Sequence, residues 1–203
     1  MKNGRFILAI FTFIVFVFLM YSFGTPAFVH FDKEMASLIG GNQLIDVFHH
    51  LGGTKFIFAI GILLIVWLWF YKRNYYGMFL VLLTYPGGFL LNQLIKRIVE
   101  RPRPEIADQL TSFSFPSGHA MMAMLYLLTI AYFLTEGSIG KNKSTIIWGV
   151  AIILIVLIGL SRIAGSRHFA TDVIAGWSLG YTWFVLCVLW YERHRRQGKI
   201  EDA

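Results

Sequence analysis

IIWGVAIILIVLIGL, residues 146–160, runs for fifteen positions without a charge, and its only polar side-chain atom is the indole nitrogen of Trp148. A helix rises about 1.5 Å per residue, so this stretch and a few flanking residues cross a hydrocarbon core of roughly 30 Å. It has no polar face, so its helix must lie within a protein core or within lipid. Five further blocks share the character: residues 6–23, 56–71, 77–94, 120–134 and 173–191. The shorter blocks, at 120 and 146, would also fit core helices of a soluble protein. Six such blocks in 203 residues, with 57% hydrophobic and 14% charged side chains, leave no polar face to solvate them. The expectation is an all-α integral membrane protein with six transmembrane helices, forming one domain over residues 1–203.

Residues 1–23 place Lys2 and Arg5 before a long apolar run, as a secretory leader would. The run exceeds the roughly 7–15 residues of a leader, and Thr25-Pro26-Ala27 makes a poor cleavage site, so we read a retained first helix. The single cysteine, Cys187, falls in the last block, which excludes a disulfide framework and a thiolate metal set. A net charge of +7 raises nucleic acid as a ligand, yet neither an exposed basic face nor a recognition motif is present. The basic residues flank the apolar blocks instead. With a cytoplasmic N-terminus, crossing parity puts ten of them inside, Lys2, Arg196 and Lys199 included, and eight outside. Setting aside the three that a site claims below leaves ten against five, so both termini are expected inside.

The connection at 24–55 is the longest outside the blocks. Met35, Leu38, Ile39, Leu44, Ile45, Val47, Phe48 and Leu51, broken by Gly40-Gly41 and closed by Gly52-Gly53, suggest two short amphipathic helices at the interface, tying the first two spans together. His49 and His50 read as interfacial polar residues rather than metal ligands. Pro86-Gly87-Gly88 should kink or loosen the third span.

Three short stretches carry chemistry. Lys96 and Arg103 follow the third block, Pro116-Ser117-Gly118-His119 precedes the fourth, and Ser161-Arg162 with His168 and Asp172 joins the fifth to the sixth. Parity brings all three out on one membrane face, which scattered loop charges have no reason to do. Lys96 and Arg103 form a pair of cations for one anion, with Pro102 ending the helix between them; alone they read equally as a basic rim, as Arg97 and Arg101 do. Ser117 is expected to cap the fourth helix and Gly118 to let backbone amides approach an anion, although Pro-Ser-Gly alone is a common turn. Arg162 adds a third cation with a bidentate donor set, and Ser161 is expected to pack or orient. His168 and Asp172, spaced i,i+4, would on a helix let the carboxylate hold one imidazole nitrogen and aim the other at substrate. His119 is the second imidazole of the set.

The pattern K-x6-R-P, P-S-G-H, S-R-x5-H-x3-D resembles the signature of the type 2 phosphatidic acid phosphatase superfamily, which shares its site with vanadium haloperoxidases, and all eleven positions match. Within that superfamily the layout is similar to the bacterial membrane phosphatidylglycerophosphatase B type. The resemblance implies a metal-independent lipid phosphate phosphatase without cofactor. His168, His119 and Asp172 would be catalytic, and Lys96, Arg103, Arg162, Ser117 and Gly118 would bind phosphate. The expected reaction converts phosphatidylglycerophosphate to phosphatidylglycerol through a phosphohistidine, with undecaprenyl pyrophosphate as the alternative substrate. The expected partners are membrane lipids and the lipid phosphate itself, with no nucleic acid and no obligate protein, at an extracytoplasmic site in the cell membrane. A phosphotransferase to another lipid would use the same residues. A transporter is the reading from another class; it needs polar groups near the bilayer midplane, and only the break at 86–88 lies there.

Overall fold

Each apolar block folds as helix. The structure, a computed structural model, describes residues 2–105, 112–137 and 139–201, and all regular structure among them is helical. Helix α1 (Lys2–Ser22) is followed by α2 (Pro26–Ile39), the short α3 (Gln43–Asp46) and a 3₁₀ segment, Val47–Gly52. Helix α4 (Thr54–Trp67) ends in a π turn, Leu68–Lys72; α5 (Tyr75–Leu82) and α6 (Gly88–Val99) are joined by another, Leu83–Gly87. Then come α7 (Gly118–Thr135), α8 (Lys141–Ala164) and α9 (Ala170–Glu201). Six spans are long and apolar enough to cross a membrane, with α5 and α6 counted as one.

The 24–55 connection forms the short helices that its apolar spacing predicts, broken at Gly40 and Gly41. The π turn at Leu83–Gly87 sits where Pro86 withdraws an amide from the helical ladder, so the loosening is local and the span continues through it. Helix α7 is the centre of the bundle, packed by α8, α9, α6 and α4. Its Ala120, Met121, Ala123 and Leu125 are fully enclosed. Small residues on α9 permit the close approach. A Cβ at Gly176 would lie 2.6 Å from the Ser117 carbonyl oxygen, and one at Gly180 3.0 Å from that of Met121. In lipid, where no hydrophobic effect drives helices together, such Gly-x₃-Gly contacts gain dispersion and weak C–H···O bonding instead.

Outward faces are apolar throughout: Ile7, Phe11 and Ile14 on α1, Ile62 and Leu63 on α4, Ile146, Ile152 and Ile153 on α8 are all exposed. At one end of the bundle Asn74, Glu136, Tyr191 and Arg195 bond one another, closing the short turns there. Of the residues assigned inside by parity, the side chains of Lys2, Arg196 and Lys199 lie outside the described residues. The opposite end gathers the C-termini of α6 and α8 and the N-termini of α7 and α9.

Candidate active site

Six of the eight residues expected in the site line one cavity of about 230 Å³: Lys96, Arg103, Gly118, His119, Arg162 and His168. They come from the last turn of α6, the segment after it, the first turn of α7, the last turn of α8 and the loop before α9. Asp172 stands behind His168, and Ser117 is fully buried beside the cavity rather than in its wall.

Helix α6 stops at Glu100, which turns the chain in the left-handed conformation (φ 52°), two residues before Pro102. Lys96 therefore occupies the last turn, and its Nζ donates to the Phe113 carbonyl. Arg103 lies on the extended segment beyond and is fixed at three points. Its Nε donates to the Ser112 carbonyl (2.7 Å), Nη2 to the Ser112 hydroxyl (2.9 Å) and Nη1 to the Arg167 carbonyl (2.7 Å). Nη1 also lies 3.0 Å from His168 Nε2. A guanidinium only donates, so Nε2 there is a lone-pair acceptor and the neutral ring carries its proton on Nδ1.

That Nδ1 faces Asp172 Oδ2 at 3.4 Å, ion-pair distance rather than a tight hydrogen bond. His168 is not on the helix as its spacing predicts; it precedes α9, and Asp172 is the third residue of that helix. The contact survives because Oδ2 of Asp172 reaches back to the Phe169 amide (2.9 Å), the return half of a capping box. The Arg162 carbonyl accepts the amides of Arg167 (2.9 Å) and His168 (3.1 Å), which locks the loop to the end of α8. Burial pushes the His168 imidazole down to about 3, opposed by Asp172 and furthered by Arg103 and Lys96, so the ring is neutral at physiological pH. Burial likewise lowers Arg103, against the pull of Asp172, with Arg167 pushing the same way as burial.

Arg162 is buried, and its Nε has no hydrogen-bond acceptor among the described residues. An unsatisfied buried guanidinium N–H lining a cavity beside two further cations calls for an anion. Ser117 takes the N-cap position of α7, but its hydroxyl caps nothing and has no partner among the described residues. The expected side-chain cap is absent because Ser117 is wedged against α9, where its amide donates to the Asp172 carbonyl at 3.0 Å. Gly118 does line the cavity; a Cβ there would approach Asn92 Oδ1 to 3.1 Å. Ser161 donates to the Ile158 carbonyl one turn back on its own helix (2.7 Å).

One reading needs correction. Arg101, taken as a basic rim, is only 7% exposed and donates to Asp172 Oδ1 (2.7 Å) and Asp32 Oδ2 (2.8 Å). His49 pairs within its own segment, its Nδ1 standing 3.5 Å from Asp46 Oδ1. Sequence reasoning also missed Asp32 and Ser114, whose hydroxyl donates to Asp172 Oδ2. A second cation in Arg-Pro-Arg-Pro was the one available signal.

A model of the PAP2 superfamily matches residues 75–196, more than half of the chain and all three stretches of the site. The chain belongs to the PAP2 superfamily. Phosphatidylglycerophosphatase B of Bacillus subtilis (strain 168) is 35% identical over 159 residues, 76% of this chain and 77% of that protein. Undecaprenyl-diphosphatase of Sulfolobus acidocaldarius is 26% identical over 188 residues, covering 86% and 84%. Among solved structures, the transmembrane PAP2-type phosphatidylglycerolphosphate phosphatase of Bacillus subtilis superposes with a TM-score of 0.81 at 31% identity, over 91% of this chain and 96% of that one. LpxE of Aquifex aeolicus gives 0.55 at 27% identity, over 77% and 93%. As a PAP2 phosphatase embedded in the membrane by six spans, this protein dephosphorylates lipid phosphates.

Proposed function

We propose that the protein hydrolyses phosphatidylglycerophosphate in two steps through a phosphohistidine at His168. The supporting observation is the convergence of three separate stretches on one small, cation-lined cavity with a neutral imidazole at its edge. Lys96, Arg103 and Arg162, with the α7 N-terminus at Gly118, hold the non-bridging oxygens and stabilise the charge that grows on them. His168 Nε2 attacks phosphorus as the bond to the lipid oxygen breaks, and His119 gives that oxygen its proton. His119 then takes a proton from water, whose oxygen displaces His168 and releases inorganic phosphate. Arg103 leaves Nε2 for the phosphate as substrate enters. To act as acid His119 must carry a proton with substrate bound, while His168 must not, so the mechanism uses the two imidazoles in different states.

The lipid is inferred from the Bacillus subtilis phosphatidylglycerophosphatase, which matches most of the chain in sequence and in structure. The archaeal relative keeps undecaprenyl pyrophosphate as the second reading. Rapid quenching with a ³²P-labelled lipid should trap label on the wild-type protein and none on His168→Ala, while in His119→Ala the label should both form and decay more slowly. Label on His168→Ala would overturn the nucleophile. Initial rates on phosphatidylglycerophosphate, phosphatidic acid and undecaprenyl pyrophosphate decide the lipid.

The site is assigned to the extracytoplasmic face by the charge bias of the connections. In a Cys187→Ser background, Arg97→Cys should react with an impermeant thiol reagent on intact cells and Asn142→Cys only after lysis; both positions are exposed. The reverse labelling would turn the site inward.

A further inference from the structure

We propose that Arg101 and Asp32 are positioning residues of the phosphoryl-transfer site, through which the surface helix α2 fixes the Asp172 carboxylate against His168. The inference rests on the His168–Asp172 pair acting as proposed above. The geometry is a closed ring of bonds. Arg101 Nη1 donates to Asp172 Oδ1 and to the Thr171 hydroxyl (both 2.7 Å), and Nη2 donates to Asp32 Oδ2 (2.8 Å). Asp32 also accepts from the Thr171 amide and hydroxyl (2.8 Å each). The guanidinium lies between the Phe23 and Phe169 rings, 4.4 and 4.2 Å from their centroids. Its own backbone is pinned where its carbonyl accepts the Ser114 amide (2.8 Å).

The ring divides the work of the carboxylate between its two oxygens. Oδ1 belongs to Arg101, while Oδ2 takes Ser114, the Phe169 amide and the face of His168 Nδ1. With Oδ1 held, the carboxylate cannot swing Oδ2 away from the imidazole. A buried ion pair is weak evidence for stability, because desolvation cancels most of the attraction. Three charges enclosed against the middle of α2, with one of them turned toward His168, point instead to orientation of the pair.

The charges that face His168 are Lys96 from α6, Arg103 and Arg101 from the segment after it, His119 from α7 and Arg162 from α8. Arg167 in its own loop, Asp172 on α9 and Asp32 behind Arg101 on α2 complete the set. Arg101→Gln removes the cation that shares the Asp172 charge, so more of that charge falls on His168 and its imidazolium is favoured. Asp32→Asn does the reverse, leaving Arg101 to draw on Asp172 alone. The acid limb of kcat/KM should therefore move up in Arg101→Gln and down, or not at all, in Asp32→Asn.

The experiment compares wild type, Arg101→Gln, Arg101→Lys, Asp32→Asn and His168→Ala in lipid vesicles, with thermal melting of each. For Arg101→Gln we expect kcat down by about tenfold or more with KM within about threefold, since the cations that grip phosphate are intact. Its acid limb should rise by about half a pH unit or more, and Arg101→Lys should restore the limb with an intermediate kcat. A folded Arg101→Gln with wild-type kcat and limb, beside an inactive His168→Ala, overturns the positioning role and leaves the site reading intact. An active His168→Ala overturns the site reading itself. Should Arg101→Gln fail to fold, Arg101→Lys and Asp32→Asn carry the test, and wild-type rates and limbs in both, or loss of the fold in all three, show a purely structural network.

Discussion

His168 sets the chemistry at the scale of single residues because its environment fixes both its tautomer and its charge. Burial depresses the imidazole to about 3 in the folded protein against about 6.5 unfolded. The unfolded chain therefore binds the extra proton across that window, and folding stability is full above about pH 6.5 and lost as pH falls toward about 3. His168→Gln should flatten the acid side of a plot of unfolding free energy against pH, removing up to about 1.4 kcal/mol per pH unit of slope. An unchanged slope would mean that the ring is charged in the folded state. Six of the eight candidate residues meet at one cavity, and their convergence was legible because the stretches that hold cations, two imidazoles and an acid all fall on one membrane face by parity. Arg101, Asp32 and Ser114 were not, since an arginine beside a helix end looks the same whether it meets solvent or two carboxylates. Ser117 shows the converse, a residue with the right type at the right place whose hydroxyl is turned to no donor.

At the scale of elements, the six spans followed from apolar runs alone, and the connection at 24–55 followed from the spacing of its apolar positions between glycine pairs. What the pattern does not contain is which helices touch. The α7–α9 contact depends on Gly176 and Gly180, ordinary small residues in a long apolar run until their neighbours are known. Gly176 backs directly onto the Ser117 carbonyl, one residue from the cavity wall, so a methyl there meets backbone and displaces the segment that carries Gly118 and His119. Gly180 meets the Met121 carbonyl one turn deeper, under less pressure at 3.0 Å. Overpacking of this kind costs about 1–3 kcal/mol, so both Gly176→Ala and Gly180→Ala should melt earlier. Only Gly176→Ala should lose kcat by about tenfold, the scale of a misplaced catalytic group. Equal kcat in the two would separate the packing seam from the site.

The whole molecule separates two kinds of charge by the length of its spans. The Asn74–Tyr191–Glu136–Arg195 cluster closes one end, and the cationic cavity opens at the other, among helix termini, where a span of this length meets the polar zone of a bilayer. Between them the outer surface is apolar, so a substrate can keep its phosphate in the polar zone while its acyl chains stay in lipid. Access from the side spares the phosphate a passage through hydrocarbon and the tail its extraction from the bilayer. The tail then contributes to catalysis only if it positions the phosphate for attack, and remote binding of this sort appears in kcat/KM when it is realised in the transition state. Phosphatidylglycerophosphate should therefore exceed glycerol phosphate in kcat/KM by about a hundredfold or more, a difference of about 2.7 kcal/mol in transition-state stabilisation. Equal values would mean that the cavity recognises phosphate alone and that the surrounding lipid merely houses the enzyme.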